Sequence, residues 1–333
     1  MKRFIALMLA VMALISFGAC SSDKTNNTDT TTTIATTATT TENTDQNTKT
    51  QITPLLYKVS DENGNCVWLF GSIHVGKDYY YPLPDYVLSA YENADALAVE
   101  CDIKAFESDV AAQTEALMPL VYTDGTKISD HISEEVYEKA VEAMTEFELY
   151  ASYMDMFSPI LWYSLIDTSL VEKAGAEPDL GIDNYFLNDA YSSGKEILEV
   201  ESVKFQYDML ANFSEKLQAL LLEEVLYYYE NFDLYKEDID TLMNVWADGD
   251  SEEFAEYLLS EDDELETEEE KMLYEEYNNA MIVNRNIGMA DFAEDAIENG
   301  KEVFICVGAA HVVGEGAMAD LLTKRGYNVE IIR

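Results

Sequence analysis

The sequence predicts an α/β fold in which a mainly parallel central sheet is interrupted by a large helical insertion. Three observations carry that expectation. Short runs rich in Val, Ile, Leu and aromatic residues alternate with longer stretches whose apolar residues recur every three or four positions. Most of the strand-like runs gather toward the two ends of the folded region, leaving a mostly helical section from about residue 130 to 300. The chain closes on "EVFICVG" (302–308), a helical "GEGAMADLLTKR", a stop at Gly326 and "YNVEII" (327–332), the layout of a right-handed crossover between parallel strands.

Taken in order, the first element is not part of the fold. "MKRFIALMLAVMALISFGAC" opens on Lys2 and Arg3, continues with an apolar core too short for a comfortable membrane span, and places Gly18 and Ala19 before Cys20. That is the layout of a secretory signal over residues 1–20. Its "FGAC" ending resembles a lipoprotein signal, so Cys20 is expected to carry lipid and the chain to be exported, anchored to a membrane and facing outside the cytoplasm. Residues 21–53 are Thr, Asn and Ser with almost nothing to bury, and read as a flexible tether. Residues 54–333 are expected to form one folded domain.

Within it the strand candidates are "YKVS" (57–60), "CVWLF" (66–70), "ALAVE" (96–100), "KEILEVE" (195–201), "EVFICVG" and "YNVEII". Helical periodicity dominates between Ser133 and Ala190 and between Ser202 and Asn299, as in "FSEKLQALLLEEVLYYYENF".

The chain has 20 Lys plus Arg against 65 Asp plus Glu, a formal charge of -45. So negative a surface repels phosphate backbones and anionic lipid, which argues against nucleic-acid binding and electrostatic membrane docking. The acidic run at 260–276 reads as a solvated helix face or loop and is assigned no function. Cys66, Cys101 and Cys306 remain once Cys20 is set aside; an odd count without CxxC spacing points to buried thiols.

Three histidines are present, and two share a frame. In "VWLFGSIHVG" and "FICVGAAHVVG" an apolar strand ends at a glycine, two residues pass, and His74 or His311 follows, each before a valine. Glycine there is expected to let the backbone bend and approach a ligand closely. Glu100 closes "ALAVE" and should emerge beside His74 at the carboxyl edge of the sheet, if successive strands are neighbours. Two imidazoles and a carboxylate form a ligand set used by catalytic zinc and open non-haem metal sites. His131 lies outside that frame and is expected at the surface.

The segments "LFGSIHVGKDYYYPLPDYVLSAYENADALAVECD", "LGIDNYFL", "ILEVESVKFQYDML", "VNRNIGMA" and "VFICVGAAHVVGEGAMADLLTKRGYNVEII" resemble the TraB/PrgY/GumN family, whose animal relatives are the TIKI proteins. The resemblance covers residues 55–333. It implies an architecture like that of erythromycin esterase and ChaN, and, from the TIKI members, a metal-dependent peptidase activity with two GxxH histidines and a glutamate essential. His74 and His311 match those histidines, Gly71 and Gly308 the glycines, and Glu100 the glutamate. Asp183 matches the acid of "GID", Glu201 the glutamate of the "LE" segment with Gln206 five residues on, and Arg285 the arginine of "RN". Asn284 departs from the pattern, standing where many relatives carry an acid.

Several roles stay open at this level. Asp183 either caps the helix that follows or belongs to the site, and Arg285 either makes a structural ion pair or steadies a developing oxyanion. The implied chemistry is hydrolysis of a peptide or small-molecule substrate by a divalent ion (Mn, Co, Fe or Zn). His74, His311 and one of Glu100 and Glu201 would hold it, with the other carboxylate as base. The alternatives are a metal-free, esterase-like hydrolase and a lipoprotein that captures a peptide signal without cutting it. Nothing in the sequence specifies an oligomeric state.

Overall fold

The six strand-like runs form one sheet in the computed structural model, which describes residues 52–259 and 267–333. The expected signal, Cys20, nearly all of the expected tether and residues 260–266 of the acidic run lie outside the described residues. The strands are β1 (Leu56–Ser60), β2 (Cys66–Ser72), β3 (Ala96–Val99), β4 (Glu196–Glu199), β5 (Val303–Gly308) and β6 (Asn328–Ile332), in the spatial order β4-β3-β5-β2-β1-β6.

The sheet is mixed rather than mainly parallel. β4, β3, β5 and β2 run parallel, whereas β1 is antiparallel to both β2 and β6. The reason lies in residues 61–65, "DENGN", a loop too short for a crossover and therefore able to join only antiparallel strands. Asp61 Oδ1 accepts the N–H groups of Asn63 and Asn65, each at 2.9 Å, and Gly64 takes the positive φ of 90° that closes the turn.

β5 lies between β2 and β3, so the strands that follow each other in sequence are not neighbours here. All six β5 residues are buried, as a strand covered on both faces requires. One face carries an aromatic cluster in which Phe304 stacks on Phe70 and meets Phe186, with ring centroids 5.6 and 4.9 Å apart. Phe186 comes from the helix Ile182–Ser193, and Tyr91 of the helix Asp85–Asn93 closes the group. Truncating Phe304 to Ala would cost about 3–5 kcal/mol, because nothing nearby can refill the centre of such a cluster.

The helical section packs as a bundle around the helices Pro159–Lys173 and Glu215–Glu230. It is tied to the sheet at the first GxxH segment, where Trp246 Nε1–H donates to Gly71 O at 2.8 Å. Ile52 is buried and Thr53 N–H donates to Ala247 O, so both residues are packed against the domain. Cys66, Cys101 and Cys306 are free and buried, as expected. No helix among the described residues is long and apolar enough to cross a membrane.

Candidate functional site

Each of the four parallel strands delivers one polar side chain to the same edge of the sheet. Glu100 directly follows β3, His74 and Glu201 stand two residues beyond β2 and β4, and His311 stands three beyond β5. Parallel direction makes this the carboxyl edge, where α/β sheets bind ligands. The edge is narrow: Glu201 N–H donates to Glu100 O at 2.9 Å, and His74 Nε2 lies 4.0 Å from Glu100 Oε1. Glu100 reaches it from across β5, since β3 does not pair with β2.

The motif glycine of the first segment serves the chain rather than a ligand. A Cβ on Gly71 would stand 3.0 Å from Ala309 Cα, so its absence lets the two GxxH segments pack against each other. Gly181 acts likewise beneath the helix Ile182–Ser193, where a Cβ would come within 2.5 Å of His74 O.

That close approach sets Asp183, in the first turn of the helix, over His74. Its Oδ2 lies 2.7 Å from His74 Nδ1, and its Oδ1 accepts the Ser72 hydroxyl at 2.6 Å. The helix is capped by Gly181 with no side-chain bond, so Asp183 is turned to the sheet edge and not to the helix end. Burial by itself pulls the His74 imidazole down, but Asp183, by charge and contact, and Glu100 outweigh it and raise the pKa to about 9. Burial likewise pushes Asp183 up, and its imidazolium and hydroxyl partners more than reverse that.

His311 is held differently. Its Nδ1 lies 2.7 Å from Asn286 Oδ1, and Asn286 Nδ2 donates to Gly316 O at 3.0 Å, which fixes which end of the amide faces the ring. The ring therefore carries its proton on Nδ1 and presents a lone pair at Nε2. Complete burial, and then the Arg285 charge, push its pKa well below the ordinary histidine value. The Nε2 atoms of both histidines are buried and meet no hydrogen-bond partner.

Behind the histidines stands a saturated ion network. Arg285, its side chain wholly buried, reaches Glu100 Oε2 with Nη2 at 2.6 Å and Glu201 with Nε and Nη2 at 2.8 and 2.9 Å. Gln206 Nε2 adds bonds of 3.2 Å to Glu100 and 3.0 Å to Glu201, and Gly308 N–H donates to Glu100 Oε1 at 2.8 Å. Burial works against the guanidinium charge, but the two carboxylates raise its pKa further still. Arg285 and Asn286 are consecutive in the helix Asn284–Glu298, one turned to the carboxylates and the other to His311. A π-helical turn at Asn279–Val283 leads into them, a feature frequent near functional sites.

The structure thus brings His74, His311, Glu100, Glu201, Asp183 and Arg285 together. Sequence reasoning passed over Asn286 and Ser72, and reached Gln206 only through the family resemblance. A signal for Asn286 existed: it heads the stripe Met289, Ala290, Ala293 and Ile297, all buried at helical spacing. His131, expected at the surface, is partly buried there. It stacks face to face on Tyr122, centroids 4.1 Å apart, because the intervening loop folds back and sets Thr126 Oγ1 2.8 Å from its Nε2. Among the described residues no three His, Cys, Asp or Glu side chains already converge as a metal-holding group.

Comparison with known proteins places this chain in a family. Uncharacterized protein YbaP of Escherichia coli (strain K12) is 27% identical over 259 residues, spanning 76% of this chain and 86% of YbaP. The Shigella flexneri protein of the same name matches equally. A metalloprotease TIKI homolog of Nematostella vectensis is 26% identical over 221 residues, 61% of this chain but 46% of that longer protein. No solved structure matches. The TraB/PrgY/gumN family model matches residues 55–331, nearly everything from β1 to β6, and the chain belongs to that family.

Proposed function

We propose that this chain is a metal-dependent hydrolase of peptide-like substrates, exported and held at a membrane through Cys20. The observation that carries the reading is the pair of orphaned Nε2 atoms at the strand ends, each on a ring whose Nδ1 is gripped by a side-chain acceptor. Metal-ligating histidines are oriented in this way, the remote nitrogen bonded to a carboxylate or carbonyl and the near one left for the ion. The donor set fits a divalent ion of the Mn, Co, Fe or Zn kind, with His74 and His311 as ligands and Glu100 Oε1 beside them. The word metalloprotease in the name of the Nematostella vectensis relative supports the same chemistry. The esterase-like architecture belongs to this reading as well.

A divalent ion there supplies Lewis acidity toward a carbonyl oxygen and toward water. The residues of the chain do the rest. Asp183 and Asn286 fix both imidazole rings in place; His311 already presents a lone pair at Nε2, whereas His74, raised to about 9, would give up its Nε2 proton as an ion binds. Ser72 holds the far oxygen of Asp183 and keeps the carboxylate aimed at His74. Arg285 and Gln206 hold Glu100 and Glu201 in place, so Arg285 acts here as a positioning residue. Glu201, like Glu100, has its oxygens committed to this network, so either carboxylate would have to give up an Arg285 or Gln206 bond to accept a proton. Without an ion, His311, kept neutral with an unpartnered Nε2 beside the Glu100 network, is the better base toward water, since His74 is already protonated at neutral pH; this is the metal-free alternative.

The test is metal content by plasma mass spectrometry on the chain purified without a metal-affinity tag, beside the His74→Ala, His311→Ala double variant, followed by a peptide-cleavage screen. Near-stoichiometric metal that vanishes in the variant, with cleavage lost by at least about 100-fold, is the expected result. Cleavage by metal-free protein would transfer the activity to the imidazole alone. Tight peptide binding with no product would make the chain a capturing protein.

A further inference from the structure

We propose that Trp246, far from the strand ends in sequence, is a positioning residue of the strand-end site and holds both GxxH segments in place through the carbonyl of Gly71. What is positioned rests on the hydrolase reading above; that the segments are held by Trp246 can be measured with or without an ion.

The β1–β2 ladder ends at Leu56 opposite Phe70, and past it Gly71 N–H reaches Leu55 O only at 3.4 Å. The Gly71 carbonyl takes its donor from 175 positions away, the Nε1–H of the buried Trp246 at 2.8 Å. A buried carbonyl is costly to leave without a donor, so this bond fixes where β2 stops. From Gly71 contacts spread to all three candidate ligands. His74 follows it by three residues. A Cβ on Gly71 would stand 3.0 Å from Ala309 Cα and 3.7 Å from Val312 Cβ, so residues on either side of His311 rest against the same backbone. Ser72 pairs with Gly308, whose N–H donates to Glu100 Oε1 at 2.8 Å. Atoms packed this closely leave no room to absorb a shift, and a displacement of Gly71 is passed to each of them.

Trp246 can hold Gly71 because its own helix, Phe232–Asp248, is fixed at several levels. Tyr235, in the first turn, gives its hydroxyl to Asp167 Oδ1 at 2.7 Å. Asp240 pairs with Lys77 at 2.8 Å, and Met243 O accepts the Tyr80 hydroxyl at 3.2 Å. At the far end Thr53 N–H donates to Ala247 O and Thr53 Oγ1–H to Asp248 O, both at 2.7 Å. Asp240, Met243 and Trp246, spaced three apart, thus bear on one segment, Gly71 to Tyr80. Of these bonds, only that of the indole N–H reaches β2. The rival is a Trp246 that merely packs the helical section onto the sheet, its ring 5.2 Å from that of Tyr80.

The experiment is hydrogen–deuterium exchange on the full chain without metal. It compares the parent with Trp246→Phe, which keeps an aromatic ring and removes the donor. Tyr80→Phe is the control, since it cuts a bond from the same helix to the same segment without touching Gly71. In Trp246→Phe the peptides covering 71–80 and 308–313 should both exchange about 10-fold faster or more, the effect of losing a buried hydrogen bond, with the helix Glu134–Glu146 unchanged. In Tyr80→Phe only 71–80 should respond. Titration with Co²⁺ is the second readout: affinity should fall about 10-fold in Trp246→Phe and by less in Tyr80→Phe. A parent that binds no Co²⁺ sinks the metal reading, and the exchange still decides the role of Trp246. The proposal falls if 308–313 exchanges in Trp246→Phe as in the parent, or if Tyr80→Phe speeds 308–313 just as much, since either result leaves Trp246 as packing alone. Should Trp246→Phe fail to fold, benzothienylalanine at position 246, which retains a bicyclic ring and lacks the N–H, takes its place.

Discussion

His74 and His311 each stand three residues after a glycine at the end of adjacent parallel strands, and each is followed by valine, yet their charge states are opposite. Asp183 sits on His74 and raises it to about 9, making it a cation at neutral pH. His311, fully buried, has a neutral amide on its Nδ1 and Arg285 nearby, and stays uncharged far below its ordinary range. The shared frame fixes where each ring is put. What the ring becomes is decided outside the frame, by the Asp183 carboxylate in one case and by complete burial and the Arg285 charge in the other.

The most damaging way to break the comparison is Arg285→Met. It leaves Glu100 and Glu201 buried without their cation, so urea unfolding should show a loss of about 3–5 kcal/mol, and His311 should titrate higher than in the parent. A loss below about 1 kcal/mol would mean that the buried pairing of Arg285 with the two carboxylates contributes no more than a surface ion pair.

Next in size is the dependence of stability on pH, where the two rings have opposite signs. His74 titrates above its unfolded value, so its stabilisation is complete below about pH 6.5 and is lost as pH rises through about 9, some 3 kcal/mol in all. His311 titrates below its unfolded value, so its contribution is present above about pH 6.5 and is lost as pH falls. A third group overlaps them. Asp167, buried in the helical section with the Tyr235 hydroxyl at 2.7 Å on its Oδ1, is raised by burial to about 7. Its contribution is present below about pH 3.8 and lost through about pH 7, worth about 4 kcal/mol. In Asp167→Asn the fall near pH 7 should vanish and the fall near pH 9 remain. Chemical denaturation across that range checks both, and an unchanged fall near pH 7 would rule Asp167 out.

Asp183→Asn should make the first segment resemble the second. The His74 pKa is expected to drop by on the order of 2 units while His311 hardly moves, as followed by NMR titration of the ring protons. The reverse exchange, Asn286→Asp, should raise His311, but by less, because its burial and the Arg285 charge persist. If His311 stays unmoved, the residue on Nδ1 is not what separates the two rings.

Much of the site was legible because its residues are punctuation in a local pattern. An apolar strand that stops at a glycine or a glutamate announces its end within a few residues, and parallel direction sends those ends to one edge, so His74, His311, Glu100 and Glu201 could be named from runs of five to seven residues. Asp183 was ambiguous for a physical reason: an acid at the start of a helix satisfies the helix equally well by capping it, and only the position of His74 under Gly181 shows which it does. The partial burial of His131 was not legible because its partner Tyr122 lies nine positions away across a loop that has no period to read.

By itself, then, the sequence determined the elements, the edge and the four residues placed there, since these depend on contacts among near neighbours along the chain. Only the tertiary structure decided that β5 lies between β2 and β3, that β1 turns the sheet mixed, and that Asp183, burial and Arg285 set the charges of the two rings. Glu100 and Arg285 are 185 positions apart, and pairing, desolvation and proton affinity depend on distance through space, which no local pattern encodes.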